Sequence, residues 1–292
     1  MHKFAYHAPA SVKEAATILA KNGPNGKVLA GGTDLLVQIK EHVRGLAPDY
    51  VVSLKNIKEL REVKFSARGG LTIGSGATLS AALAVPAVRK HFPGIAQGIE
   101  IIGSAQIQNM ATIGGNVCNA APSADGVPPL MAYGATVEIA GRSKTRTLPL
   151  DEFFVGPGKT VLRPDELLVA IHVPTPPARS GCDYVRHTPR AQMDIAMVGV
   201  AAYVELTRAG KIAVARIVLG AVAPTPIHAH ETEAMLTGQE PSEELLAAAG
   251  SMAAGEESPI SDMRGSAGYR RYITSVLVKR TLRAAVMQAT AA

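Results

Sequence analysis

The sequence predicts an α+β protein built in two halves, and three observations carry that prediction. The chain has 292 residues, where one domain takes roughly 100–200. Strand-like and helix-like stretches interleave without a strict strand–helix–strand rhythm. The segment VPTPPARS, residues 173–180, gathers three prolines in eight residues and sets the break near Pro176, giving domains 1–176 and 177–292.

The elements follow in chain order. SVKEAATILAKNG has Ser11 as N-cap, Glu14 as its capping-box partner and Gly23 as stop, which predicts a short surface helix. KVLAGG (27–32) reads as a buried strand entering a glycine turn, and DLLVQIKEH (34–42) as a helix starting at that turn. YVVSLKNI (50–57), EVKFSARGGLTIGSGAT (62–78) and ATVEIAGRSKTRTLPL (135–150) alternate β-branched residues with glycine breaks, as strands and hairpins do. Past the proline break, AMVGVAAYVELTRAGKIAVARIVLGAV (196–222) predicts two strands about an Ala-Gly turn, and AGYRRYITSVLVKRTLRAAV (267–286) a helix. On that helix Tyr269, Tyr272, Ile273, Val276 and Leu277 read as a core face, and Arg270, Arg271, Lys279, Arg280 and Arg283 as a basic rim.

Composition narrows the function. Apolar residues make 47% and charged residues 18%, enough for an independent core of ordinary globular type. No stretch approaches the roughly 18 unbroken apolar residues of a membrane span. The opening MHKFAYHAPAS is not a basic segment leading an apolar run, so a cytoplasmic protein is expected. Cys118 and Cys182 are the only cysteines, too few for a CxxC zinc site or a four-thiolate cluster, so any iron–sulfur cluster belongs to another chain. The net charge of +6 is dispersed, and five Phe, seven Tyr and no Trp leave no basic stripe with stacking rings, which argues against nucleic acid.

Two glycine loops carry the chemistry. In AGGTDLL (30–36), Gly31 and Gly32 lack the Cβ that keeps backbone N–H groups away from an anion. Alone, the pair reads first as a tight strand-to-helix turn. ATIGGNVCNAAPSADGVPPL (111–130) adds Gly114 and Gly115 with Asn116, Asn119, Ser123 and Asp125. Two such loops, meeting through the fold, suit the diphosphate of a dinucleotide, with Asp125 able to accept from sugar or ribityl hydroxyls. Other motifs fail. GPGKT (156–160) ends like a Walker A loop, but its first glycine position is Phe153; GSG (74–76) begins like a Rossmann fingerprint, but its third glycine position is Leu79. No GxSxG elbow occurs, and His228 and His230, two residues apart, cannot share a helix face and read as solvated.

Taken together, AGGTDLL, ATIGGN, DELLVAIHVP, YVRHTPRAQMDIA and the C-terminal RGSAGYRRYITSVLVKRTL resemble the FAD-binding medium subunit of molybdenum hydroxylases, the family of xanthine dehydrogenase and carbon monoxide dehydrogenase complexes. The resemblance runs through nearly the whole chain. It implies an N-terminal FAD-binding domain of the vanillyl-alcohol-oxidase (PCMH) type, made of two α+β subdomains. A smaller α+β domain, a three-stranded antiparallel sheet with helices, is implied after it. Carried over by motif, Leu29, Ala30, Gly31, Gly32, Thr33, Asp34 and Leu35 match the first diphosphate loop. Ala111, Thr112, Gly114, Gly115, Asn116 and Asp125 match the second, and Ile102 and Leu168 match apolar residues near the flavin. Arg186 stands where relatives commonly carry lysine, exchanging a mobile point charge for a planar guanidinium.

The resemblance further implies FAD as cofactor, a molybdenum-cofactor large subunit and a 2Fe-2S small subunit as partners in a dimer of heterotrimers, and transfer of electrons to an external acceptor. The basic rim of the C-terminal helix would then dock the iron–sulfur subunit. The additional four-iron cluster of the 4-hydroxybenzoyl-CoA reductase branch is not expected with two cysteines. The flavin does the redox chemistry, so no catalytic side chain is assigned. The alternatives are a self-contained flavin oxidase or reductase of the same superfold, and a non-redox assembly subunit that has lost FAD; no histidine lies in either glycine loop for covalent attachment, and intact loops argue against the second.

Overall fold

The computed structural model describes residues 3–291; Met1 and His2, the first residues of MHKFAYHAPAS, and Ala292 lie outside the described residues. The chain begins with β1 (Ala5–His7), α1 (Val12–Asn22), β2 (Gly26–Leu29), α2 (Leu35–Lys40) and β3 (Tyr50–Ser53). The strands pair in parallel in the order β1-β3-β2. Ser11 caps α1 by accepting from the Glu14 N–H at 3.2 Å. The returning bond from Glu14 lands on the Ala10 N–H at 2.8 Å, one residue ahead of the cap. Gly23, at φ +83°, ends the helix in a conformation that costs any other residue a Cβ clash. Ala15 and Leu19 of α1 pack on Tyr50 and Val52 of β3.

A second subdomain follows: β4 (Val63–Ser66) and β5 (Gly70–Gly74), then α3 (Leu79–Leu83), α4 (Pro86–His91), α5 (Pro93–Glu100), α6 (Ala105–Gln108), α7 (Ile113–Asn119) and α8 (Val127–Ala132). The chain continues through β6 (Thr136–Ala140), β7 (Thr145–Pro149), β8 (Phe154–Gly156), β9 (Lys159–Thr160) and β10 (Leu167–Val173). Both hairpins read from the glycine breaks form, and β10 inserts between them to give the antiparallel order β4-β5-β10-β6-β7. GPGKT is the β8–β9 hairpin, with Gly158 at φ +71° in its turn.

Pro174–Arg179 lead to β11 (Ser180–His187), β12 (Val198–Leu206), β13 (Ile212–Gly220), β14 (Ile227–His228), α9 (His230–Leu236), α10 (Glu243–Ala253) and α11 (Ala267–Ala291). Three long antiparallel strands form the sheet, and β14 adds a two-residue edge beside β13. Pro224 and Pro226 directly precede that edge, and proline cannot donate to a ladder, so the strand starts no earlier than Ile227. Both faces of the sheet are covered. Val200, Ala202 and Val204 join Leu277, Val278 and Leu282 of α11. Their neighbours Ala201 and Tyr203 join Phe92, Ile95 and Tyr133 of the N-terminal half. Burial on both faces is why this stretch reads as continuous apolar sequence. Among the described residues, no helix is long and apolar enough to cross a membrane.

Two polar groups read as solvated are inside. The His228 side chain is 9% exposed, with Nδ1 2.7 Å from Glu233 and Nε2 3.5 Å from Asp151. His228 ends β14 and His230 opens α9, so the two histidines lie on different elements. Arg270 is 3% exposed rather than on a rim. Its guanidinium donates to the Met197 carbonyl at 2.6 Å and to Asp262 at 2.8 Å. The buried stripe of α11 runs through Arg270, Thr274, Leu277, Val278, Thr281 and Leu282, leaving Tyr269 and Tyr272 exposed. Hydropathy misassigns the face because three polar residues on it find hydrogen-bond acceptors within the fold.

Glu257 supplies a pH dependence. It is 6% exposed, and one of its oxygens accepts from Thr274 Oγ1 at 2.7 Å. Burial pushes its carboxyl up to about 7 from the ordinary 4.5, against the opposing Thr274 bond and the charges of Arg271 and Arg270. Between those two values the folded chain holds a proton that the unfolded chain releases, so stability falls as pH rises through the window. Urea midpoints are expected to drop from about pH 5 to about pH 8, with a smaller drop in Glu257→Gln.

Candidate functional site: a cavity between two glycine loops

A cavity of about 740 Å³ opens where the parallel sheet, the antiparallel sheet and β11 meet, within the size range of small-molecule sites. Of the residues singled out in the sequence, Ala30, Gly31, Gly32, Thr33, Asp34, Leu35, Ile102, Ala111, Thr112, Gly114, Gly115, Asn116, Asp125, Leu168 and Arg186 line it. Leu29 does not. It ends β2, its carbonyl accepts from the Leu54 N–H at 2.8 Å, and its side chain packs under Gly32.

Close backbone contact brings the loops together across 80 residues of sequence. A Cβ on Gly31 would stand 2.0 Å from the Met110 carbonyl oxygen, and one on Gly114 would stand 2.5 Å from the Ser75 carbonyl oxygen. These two glycines are demanded by the protein's own packing. Gly32, at φ +77°, makes the turn into α2. Gly115 differs: a Cβ there would meet only Thr112 Oγ1 at 2.9 Å and Ala30 Cβ at 3.9 Å. Each glycine pair thus divides its work between the scaffold and the turn or cavity wall.

The loops also differ as donors, which departs from the expectation of two matching amide nests. The second loop spends its amides internally. The N–H groups of Ile113 and Gly114 bond to Ala77 and Ser75, and those of Gly115 and Asn116 to the Thr112 hydroxyl and carbonyl. By contrast, the N–H groups of Gly31, Gly32, Thr33, Asp34 and Leu35 have no protein acceptor among the described residues. In the lining of the same cavity, Ser75 Oγ and Asn116 Oδ1 are buried and also without a partner among the described residues. Buried polar groups are nearly always satisfied, so this wall is complementary to a polar ligand. Ser75 comes from the GSG that fails as a Rossmann fingerprint, and its position at the end of β5 was the missed signal. Asn119 and Ser123 of the second loop line the cavity as well, as do Gln38 and Glu166, which the sequence motifs did not point to. Gln38 reaches Asn119 at 3.4 Å, joining α2 to α7, and Glu166 is held by Nε and one Nη of Arg146. The Val169 carbonyl accepts from the Ser75 N–H at 2.8 Å, continuing the β10–β5 register one residue past Gly74.

At the C-terminal side, Asp125 is clamped by residues of β11. The Tyr184 hydroxyl donates to Oδ1 at 2.7 Å, and the Arg186 guanidinium donates to Oδ2. The Arg186 and Asp125 side chains are 6% and 7% exposed. Burial raises the Asp125 carboxyl, while the Arg186 charge and the two hydrogen bonds pull it back. Burial, reinforced by Asp125, raises the Tyr184 phenol well above its ordinary range. Arg186 therefore presents a compensated charge rather than a free cation, and each Asp125 oxygen keeps acceptor capacity beyond its protein bond.

Residues 2–176 match the family described as FAD binding domain in molybdopterin dehydrogenase, and residues 183–285 match the CO dehydrogenase flavoprotein C-terminal domain. The chain belongs to the family of FAD-binding medium subunits. It is 34% identical to the xanthine dehydrogenase FAD-binding subunit of Escherichia coli O157:H7 over 97% of this chain and 96% of that one. It is 32% identical to the carbon monoxide dehydrogenase medium chain of Hydrogenophaga pseudoflava over 97% of each. Among solved structures, carbon monoxide dehydrogenase from Hydrogenophaga pseudoflava superposes with a TM-score of 0.92 at 32% identity, covering 98% of both chains. Quinoline 2-oxidoreductase from Pseudomonas putida 86 gives 0.90 at 29%, again over 98% of both.

FAD, the cofactor of this family, fits the wall: a run of unpaired amides suits its diphosphate, and Ser75 Oγ and Asn116 Oδ1 suit its hydroxyls. Two outcomes separate scaffold from cavity. Gly31→Ala and Gly114→Ala are expected to lower the melting temperature, because each Cβ meets backbone. Gly115→Val is expected to keep the fold and lose FAD, measured as flavin absorbance per folded chain. Arg186→Met, which strands a buried carboxylate, is expected to cost about 3–5 kcal/mol in urea unfolding. The double variant with Asp125→Asn should recover part of that loss.

Proposed function

We propose that residues 1–176 hold FAD in this cavity, that residues 177–292 close its far side, and that the subunit passes electrons from an iron–sulfur partner to an external acceptor. The observation that carries the reading is the pairing of five unpaired amides, Gly31 to Leu35, with two buried, partnerless polar atoms across one cavity. When bound, the isoalloxazine exchanges electrons singly or in pairs, which suits a junction between one-electron clusters and a two-electron acceptor.

The chain's own residues bind and orient. The amides of Gly31–Leu35 take the diphosphate, where Gly32 lets the backbone turn, and Lys27 and Arg163 add positive charge to the wall. Asn116 and Ser75 accept from or donate to hydroxyls, and Ile102 and Leu168 supply apolar contact. Asp125, fixed by Tyr184 and Arg186, offers a directed acceptor whose position depends on β11. No side chain is assigned to proton transfer or nucleophilic attack. The molybdenum-cofactor large subunit and the 2Fe-2S small subunit are the proposed partners, in a dimer of heterotrimers. This is supported by relatives named as medium chains of carbon monoxide and glyceraldehyde dehydrogenases.

The test is an ultraviolet–visible spectrum, before and after dithionite, of the chain affinity-purified from its native cells with whatever accompanies it. Flavin and iron–sulfur bands that bleach together are the expected result. Flavin alone, with no co-purifying chains, would point to a self-contained flavoprotein, and absence of flavin would overturn the reading.

A further inference from the structure

A cluster of metal-ligating side chains lies outside the cavity, where β14 runs into α9. His228, His230 and Glu233 bring one ligand atom each to within 4.8 Å of one another. His228 Nδ1 is 2.7 Å from Glu233 Oε1, and His230 Nδ1 is 3.2 Å from Glu233 Oε2. Donors about 2.0–2.2 Å from a tetrahedral ion stand roughly 3.3–3.6 Å apart, so the His230–Glu233 pair is near ligand spacing and the His228–Glu233 hydrogen bond opens by somewhat under 1 Å to admit an ion. We propose that His228, His230 and Glu233 form a binding site for a borderline divalent ion of the zinc class, which ties the end of β14 to the first turn of α9.

The surroundings are those of a built site. His228 presents Nδ1 to the cluster and Nε2 to Asp151 at 3.5 Å. At that distance Asp151 faces the second ring nitrogen without hydrogen-bonding it, so Nε2 is buried with no hydrogen-bond partner among the described residues. Asp151 comes from the turn after β7, in the N-terminal half, so this approach crosses between the halves. Glu233 is itself anchored, its Oε1 accepting from the Ile217 N–H of β13 at 2.8 Å. Two of the three ligands are thus held in advance, with side chains 9% and 14% exposed.

The third ligand moves. His230 is 80% exposed, and its ring lies stacked on that of His228, centroids 5.3 Å apart and planes 9° from parallel. Lone pairs of parallel stacked rings do not meet at one point, so His230 turns about its side-chain bonds to complete the set. None of the three lines the cavity. The site is therefore separate from the cavity, and water completes the coordination of the three protein ligands.

The test uses the full chain as purified, with its cofactor and any partner chains, treated with a chelator and desalted. Zn²⁺ alone is titrated by calorimetry at about pH 8, where competing protons are fewer. Bound zinc is counted by mass spectrometry after a second desalting. One equivalent per chain is expected, weakened about tenfold or more in His230→Ala. Zinc is also expected to raise the melting temperature of the parent protein but not of that variant. His230 is exposed and its loss leaves the fold intact; His230→Gln serves as a second variant that keeps side-chain volume. Absence of a stoichiometric site in the parent, or affinity unchanged in both His230 variants, would overturn the assignment.

Discussion

Everything about the cavity depends on two places where backbone meets backbone with no side chain between. Gly31 rests against Met110 and Ala111, and Gly114 against Ser75. These contacts seat the first loop on the second and stitch the second to the end of β5. The stitching consumes the amides of residues 113–116 and leaves those of 31–35 without protein acceptors. The asymmetry between the loops, one spent and one open, thus follows from where a Cβ is sterically impossible.

The second constraint is the sheet β11–β14, which serves two cores at once. One face packs on α9, α10 and α11, and the other on helices of the N-terminal half. The period-two alternation of β12 assigns Val200, Ala202 and Val204 to one core and Ala201 and Tyr203 to the other. Because β11 is fixed this way, Tyr184 and Arg186 arrive beside Asp125 as a pre-positioned clamp. Gln97 of α5 holds the same strand, donating to Asp183 and accepting from the Tyr184 N–H, both at 2.8 Å. The cation at position 186 matters first as the partner of a buried carboxylate, where a planar guanidinium differs from lysine in geometry.

Polar groups inside the C-terminal half show the same logic. Arg270, Thr274 and His228 occupy positions that hydropathy assigns to solvent, and each is buried against acceptors supplied from distant sequence. Burial of a charged group is tolerated only with such partners. The partners of Arg270 are the Met197 carbonyl and Asp262, and those of His228 are Asp151 and Glu233. No single segment contains both members of any such set.

What the sequence determined by itself is local. The capped helix from Ser11, the glycine-broken hairpins, the Ala-Gly turn at 209–210 and the presence of two cofactor-type loops are all encoded within about 20 residues by periodicity, caps and turn chemistry. Motif likeness extended that reading to the family and to sixteen residues, fifteen of which line one cavity. Tertiary structure alone decided the insertion of β10 between two hairpins, the two-residue edge β14, and the recruitment of Ser75. It also decided the clamp on Asp125 and the burial of His228 and Arg270. Each of these depends on a partner brought close by packing from elsewhere in the chain, and neither hydropathy nor spacing records which distant acceptor will satisfy a given donor.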